Sequence, residues 1–405
     1  MTHNAHAHHE PKKPSLILLI LLVSFASVNA VLVSPALPMM GEFFHVSDNR
    51  VQSIVSLFLL AYAFGQLPFG PLANRYGRKP AFMMGIMLQI IGSFFCILAS
   101  FNHHFAFMLA GRCLMALGSA VGLMMGFTLL NDFYPPEEAR PMAAKMMMAF
   151  AIMPALSVAT GGFLCDTFGW AACFYFLAGY GLLLGLTLHV KLDEPQFDRL
   201  KALHPTLILK GWLQAAGHKK LTKYAAIMGG CACIIYAFSA IGPFIGIKII
   251  GLSESQYGLF SMLPSFGILI GSWLCQALNK RYEGDTVIRM GTLFSIGMAL
   301  IMLVGFLVHV NVYNLFLCMF LINIGETLVI SNASLIASSA IQDKANASAV
   351  MNFINMGIGF LGIYLIQSLP QTWVGLLPGS LLFFLTLMAV LSFWRRPLAL
   401  PIQSQ

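Results

Sequence analysis

The stretch Gly70-Pro-Leu-Ala-Asn-Arg-Tyr-Gly-Arg-Lys79 sets three basic side chains, Arg75, Arg78 and Lys79, between two long apolar runs. The runs on either side, residues 50–72 and 80–100, are each long enough to cross a hydrocarbon core, which takes about 20 residues of helix. A short positive loop between two such runs is the pattern of a membrane hairpin whose loop is kept in the cytoplasm.

The pattern repeats along the whole chain. Apolar runs bounded by charge, Pro or Gly occupy residues 15–36, 50–72, 80–100, 105–131, 142–164, 169–190, 223–248, 256–278, 287–309, 312–340, 346–369 and 374–394, which predicts twelve membrane helices. Hydrophobic residues make up 58% of the chain and charged ones 9%. A soluble domain carries about 25% charged residues, so this chain has too little polar surface to cover itself in water. The first run follows Lys12 and Lys13 as a secretory signal would, but it is too long and eleven more runs follow, so it reads as an uncleaved first helix. The eight cysteines lie in or beside the runs with no C-x-x-C pair, as packing residues do.

Loop charge gives the orientation. With the N-terminus in the cytoplasm, 20 of the 23 basic residues fall on that side, and only Arg50, Arg112 and Lys248 do not. The net charge of +8 then belongs to the surface facing anionic lipid, and nucleic acid is not an expected partner. The long polar stretch from Lys191 to Lys223 carries seven basic and three acidic residues and reads as a cytoplasmic linker, with residues 207–213 as a short surface helix and Trp212 at the interface. The expected organisation is a cytoplasmic tail (1–14), a six-helix bundle (15–190), the linker (191–222), a second six-helix bundle (223–394) and a cytoplasmic tail (395–405).

An internal repeat supports two halves. A shift of 206 residues pairs Arg75 with Arg281, Tyr76 with Tyr282, Met84 with Met290, Gly85 with Gly291, Gly65 with Gly271, Ala139 with Ala345 and Ala143 with Ala349. Two parallel six-helix repeats around a midplane site describe an all-α rocking transporter.

The loop quoted above resembles the signature of the major facilitator superfamily, G-x-L-A-D-R-x-G-R-K. In it Gly70 permits close helix approach, Gly77 turns the loop and Arg75, Arg78 and Lys79 supply positive charge. The family's acidic residue is Asn74 here; in the family that carboxylate helps to latch the outward-facing state. Arg112-Cys-Leu-Met-Ala-Leu-Gly118, with Gly122 and Gly126, resembles the second motif of the superfamily. An arginine inside a span faces a cavity or a partner. The resemblance implies proton coupling or substrate contact for Arg112, and the alternative is a tie between helices through backbone carbonyls. Met153-Pro154, Gly161-Gly162, Asp166 and Gly169-Trp170 resemble the antiporter motif of the drug:proton branch. Together with Pro35-Ala-Leu-Pro38 and Asp132-Phe-Tyr-Pro-Pro-Glu-Glu-Ala-Arg140, these features are similar to the bicyclomycin and chloramphenicol exporter group. Gly70, Asn74, Arg75, Gly77, Arg78, Lys79, Asp132, Pro154, Gly161 and Gly162 are accordingly expected to serve conformational gating. Cation exporters of this group often carry an acid near the position of Val31; the nearest strongly polar residue here is Asn29.

Of the fifteen acidic residues, only Glu326 sits well inside a span. A carboxyl in a low-dielectric site that alternates between wet and dry is suited to taking up and releasing a proton. Glu326 is thus the proton-carrier candidate, with direct binding of a cationic solute and a neutral acid bonded to Asn323 as the other readings. Helical spacing lines Asn323, Glu326, Thr327, Ser331 and Ser334 along one stripe, and Ser348, Asn352, Asn355 and Gly359 along another. The expected substrate cavity comprises Asn29, Asn323, Thr327, Asn352, Asn355 and Tyr236, with Glu326 and Arg112 in proton coupling.

The expected function is secondary transport in a bacterial inner membrane: export of a small organic compound or drug by alternating access, in exchange for protons. The alternative is an importer or metabolite carrier, for a siderophore or an organic acid; a non-transporting receptor would not need a polar-lined repeat interface. No nucleotide loop, metal-ligand pair or catalytic triad is present, so an enzyme is not expected, and no cofactor beyond a proton gradient. The expected partners are a small-molecule substrate and the lipid bilayer, and the family's usual state is monomeric. His3, His6, His8 and His9 read as a polar tail rather than a metal site.

Overall fold

The computed structural model describes residues 13–194, 205–370 and 374–394, and every regular element among them is a helix. Eleven helices are long and apolar enough to cross a membrane: the first (Leu16–Phe43), third (Arg78–Asn102), fourth (Phe105–Phe133), fifth (Pro136–Phe168), sixth (Ala171–Lys191), seventh (Lys219–Ile249), eighth (Glu254–Leu278), ninth (Gly284–Val308), tenth (Val312–Ser338), eleventh (Asn346–Gln367) and twelfth (Leu376–Phe393). The second span is Asp48–Gly65 followed by Phe69–Tyr76, bent by 43°. The break falls at Gln66–Pro68, where the proline cannot supply the backbone N–H that a continuous helix needs.

Local chemistry sets the ends. The Oγ of Ser15 accepts the Leu18 N–H to start the first span, and Ser253 and Gln256 form a reciprocal capping box at the eighth. Two spans run furthest past the sequence expectation. The first span continues past residue 36, because Pro35 and Pro38 each fall at the start of a new turn, where a missing N–H costs nothing. The fifth extends to Pro136 and Phe168 around an internal Pro154, with the Ser157 hydroxyl donating to the Met153 carbonyl there. A helix at Pro205–Ala216 lies in the expected linker, with Trp212 and Ala215 packed against Ala347 and Val350 of the eleventh span. The histidine-rich tail and residues 395–405 lie outside the described residues.

The inner helices recur every third position. In the first, fourth, seventh and tenth spans 72%, 61%, 78% and 67% of the most apolar window is buried, against 28% to 50% in the other seven. The outer spans turn Phe94, Leu98, Val304, Leu307 and Phe383 outward, as a lipid-facing surface requires. Apolar area gives no drive for helices to associate inside lipid, so close approach matters instead. A Cβ on Gly85 would lie 2.6 Å from the Gly118 carbonyl oxygen, joining the third span to the fourth. A Cβ on Gly291 would lie 2.5 Å from the Gly325 oxygen, joining the ninth to the tenth in the same way. Gly65 against Leu117 and Ala120, and Gly271 against Ile324 and Thr327, repeat the relation for the second and fourth, and the eighth and tenth. The molecule is two pseudo-symmetric six-helix bundles.

The twelve crossings bring Pro14 and Trp394, at the two ends of the described residues, the signature loop and the linker helix to one face: Tyr134 donates to the Pro14 carbonyl, and Lys223 to that of Trp394. This is the terminal face, and the opposite one the far face. Among the described residues, the polar contacts between bundles cluster at the far face. There Ser34 donates to the Ser239 carbonyl, Asn49 to that of Gln367, and Gln367 to the Ser56 hydroxyl.

Candidate functional site

The signature loop is built around Arg78. Its Nε donates to Asp132 Oδ2 at 3.1 Å, and its Nη1 to the Ala73 carbonyl and to Asn74 Oδ1. Arg75 lies over the Tyr76 ring and Lys79 donates to the His189 carbonyl; Gly70 is not the close helix approach expected of it, since a Cβ there would meet only the Met124 methyl at 3.9 Å, an ordinary contact. Gly77 has φ +109°, a conformation that favours glycine, and a Cβ there would also lie 2.5 Å from Glu194. The space is filled by the Glu194 carboxylate, which accepts from the Arg78 and Lys79 backbone N–H groups at the start of the third span. Sequence reading passed over Glu194 because it is one acid among several in a charged linker. Asn74 serves as an acceptor for Arg78 inside the loop.

The first bundle holds a buried polar network. Arg112 is fully buried; it donates to the carbonyls of Asn29 at 2.7 Å, Ala30 at 3.2 Å and Ile54 at 3.4 Å, and its guanidinium carbon is 4.2 Å from the Phe58 ring centroid. Asn29 donates to the Phe25 carbonyl and accepts from Gln89, which also donates to Ser93 and to the Leu177 carbonyl. The structure places Asn29 and Arg112 both inside the bundle. Asn29 has no exposed surface here, and both ends of its amide are used within the bundle. Arg112 ties the first, second and fourth spans together through their carbonyls, so its charge is not presented to an anionic solute. Gln89, the partner sequence reading missed, was legible only as a lone amide in an apolar run.

In the second bundle Glu326 is 3% exposed and neither carboxyl oxygen accepts from an N–H or O–H group; the nearest donor is the Cys231 thiol. Cys231 and Cys233 of the seventh span face it. Asn323 donates to the Pro264 carbonyl of the eighth span, and Thr327 donates to the Asn323 carbonyl. The acceptor oxygens of Asn323 and Asn355 are buried without partners, and Asn352 is half-buried. Glu326 is not bonded to Asn323, and the group of another helix within its reach is the Cys231 thiol of the seventh span. Tyr236 on the seventh span reaches across the bundle boundary toward Tyr62 and Arg112. Pro154 lies mid-helix, and the glycines after it reach the far face. A Cβ on Gly161 would lie 1.8 Å from the Leu32 carbonyl oxygen within the first bundle, and one on Gly162 2.3 Å from that of Glu254 in the second. What this arrangement offers chemically is one buried acid without an ion-pair partner among the described residues.

Comparison with known proteins agrees with this architecture. Multidrug resistance protein D of Escherichia coli (strain K12) is 26% identical over 268 residues, covering 66% of each chain. A chloramphenicol resistance protein of Pseudomonas aeruginosa is 25% identical over 372 residues, covering 88% of this chain and 85% of its own. A bicyclomycin resistance protein homolog of Haemophilus influenzae (strain ATCC 51907 / DSM 11121 / KW20 / Rd) is 23% identical, covering 60% of this chain and 61% of its own. A D-xylose-proton symporter superposes with TM-score 0.74 at 11% identity, covering 92% of this chain and 96% of that one. A bacterial homolog of the human lysosomal transporter Spinster, inward-facing and occupied, superposes with TM-score 0.73 at 15% identity, covering 93% and 95%. These likenesses carry the fold, and neither the family nor its structural neighbours are enzymes. The Major Facilitator Superfamily profile matches residues 17–363, and the chain belongs to that superfamily of membrane transporters.

Proposed function

We propose that this transporter exports a small organic compound in exchange for protons, with Glu326 as the proton carrier. The observation that carries the reading is the state of that side chain: buried, with no N–H or O–H donor on either oxygen and without an ion-pair partner among the described residues. A carboxyl kept so holds a proton while dry and gives it up once the surrounding helices part and water or a cationic solute arrives. The names of the relatives, resistance proteins for chloramphenicol, bicyclomycin and multiple drugs, support efflux as the direction. Loop charge supports a cytoplasmic terminal face in a bacterial inner membrane. On that orientation the far-face contacts describe a molecule closed to the outside, the state in which an exporter loads. With Arg112 committed to carbonyls, a neutral or cationic cargo fits better than an anion.

The test is transport in proteoliposomes under an imposed pH gradient, with chloramphenicol, tetraphenylphosphonium and benzoate as neutral, cationic and anionic probes. Gradient-driven accumulation of at least one of the first two is expected, with none of benzoate. Glu326→Gln is expected to abolish accumulation while leaving counterflow exchange of the same probe. Full gradient-driven accumulation by Glu326→Gln would overturn the role of this acid.

A further inference from the structure

Among the described residues, three basic ones stand away from the terminal face: Arg50, Arg112 and Lys248. Two are accounted for inside the first bundle, Arg112 by three carbonyls and Arg50 by the Phe105 ring, 5.8 Å from its guanidinium carbon. Lys248 is different. It stands near the end of the seventh span, and its Nζ lies 2.9 Å from Asp48 Oδ1 and 3.8 Å from Glu42 Oε1. Both carboxylates belong to the first bundle, Glu42 at the end of the first span and Asp48 at the start of the second. A single cation of the second bundle thus answers two anions of the first.

We propose that Lys248 is the electrostatic latch of the far-face gate, a positioning residue that biases the transporter toward the state closed on that side. The proposal rests on the alternating-access reading above, but on neither its cargo nor its coupling ion. The backbone supports it. Lys248 sits in a π-helical turn, Phe244–Ile249, closed by Ile250 N–H to the Ile245 carbonyl, and such turns are frequent at functional sites. Of the other polar ties across this face, Ser34 with Ser239 and Asn49 and Ser56 with Gln367 are between neutral groups, and the Ser253 hydroxyl donates to the Asp166 carboxylate. Among the described residues, the pairing of opposite charges across the closed interface is made at Lys248. When the bundles part, the ammonium loses both carboxylates, while Glu42 and Asp48 stay together as two uncompensated anions. Closure is favoured by attraction, and opening meets the repulsion left behind. The Lys248 side chain is 34% exposed and that of Asp48 37%, so solvent screens the effect, and the latch biases the equilibrium without locking it.

The experiment reads the gate directly. Ser239→Cys, at 8% exposure inside the closed interface, is labelled by a membrane-impermeant thiosulfonate from the far side in right-side-out vesicles, with the unsubstituted chain as background. Lys248→Gln is expected to raise the labelling rate about threefold, and Lys248→Glu about tenfold, because three like charges then meet at the gate. Lys248→Arg should return the rate to that of the parent. The difference between Lys248→Gln and the parent should shrink at high salt. An unchanged or lower rate in both neutral and reversed variants overturns the latch; so does a rise that Lys248→Arg shares, since packing and not charge would then be responsible. Labelling needs no transport, so a failed pH-gradient assay and a failed latch are separate results.

Discussion

Arg112 donates to three carbonyls on two neighbouring spans, and those of Asn29 and Ala30, in the last turn of their helix, would be bare acceptors in a water-free interior if the guanidinium were removed. Leaving a buried acceptor unpaired costs about 1–3 kcal/mol, so Arg112→Gln, whose amide can satisfy at most two, should lower the thermal midpoint of the detergent-purified protein. Tryptophan fluorescence on heating measures it. If the side chain is a tie, the pH dependence of the residual transport keeps the parent's midpoint; a displaced midpoint with unchanged thermal stability would instead place Arg112 in the coupling step. The sequence showed that this arginine needed partners, since no membrane tolerates it bare, but backbone carbonyls have no signature in a sequence. Glu326 was easier to read. It is the one acid deep in a run, and its isolation follows from having nothing charged within helical reach.

At the scale of helices, the two glycines of the fifth span divide their work. Gly161 admits the Leu32 carbonyl of its own bundle, and Gly162 that of Glu254 in the other. Alanine at 161 clashes in a packing that both transport states share, so Gly161→Ala should lower the thermal midpoint. Alanine at 162 clashes only where the bundles meet. About 1 Å of separation relieves it, so Gly162→Ala should raise far-side labelling of Ser239→Cys with little loss of thermal stability. Equal thermal loss in both would mean that the bundle boundary is as fixed as the bundle interior. Elements of this kind were half legible. Span count followed from run length, and the equivalence of Gly85 with Gly291 from the repeat. The division between Gly161 and Gly162 was not, because periodicity says which residues share a stripe and not which helix that stripe meets. The same limit hid Gln89 as the neighbour of Asn29, and Glu194, whose role depends on a linker folding back onto a helix start.

For the whole molecule the decisive feature is asymmetry. Polar ties between the bundles cluster at the far face, while the charged contacts of the terminal face, Arg78 with Asp132 and Lys13 with Glu138, stay within one bundle. A molecule held at one end rocks about that end. Thr128 of the fourth span and Ser331 of the tenth, both on the terminal half, should then be reachable from the terminal face when changed to cysteine, and Ser56→Cys, 2% exposed beside Gln367, should be protected from the far face. If the closed state outweighs the far-open one by about 3 kcal/mol, Ser56→Cys should label roughly 100-fold more slowly than in a denatured control. The Lys248 and Gly162 variants should move that ratio in the same direction, because both act on one boundary. Labelling rates in right-side-out and inverted vesicles measure both sides, and also test orientation: the terminal-half cysteines must react only in the inverted preparation. Fast labelling of all three from both sides would describe a pore rather than a rocking carrier, and would remove the basis on which a buried Glu326 alternates between dry and wet surroundings.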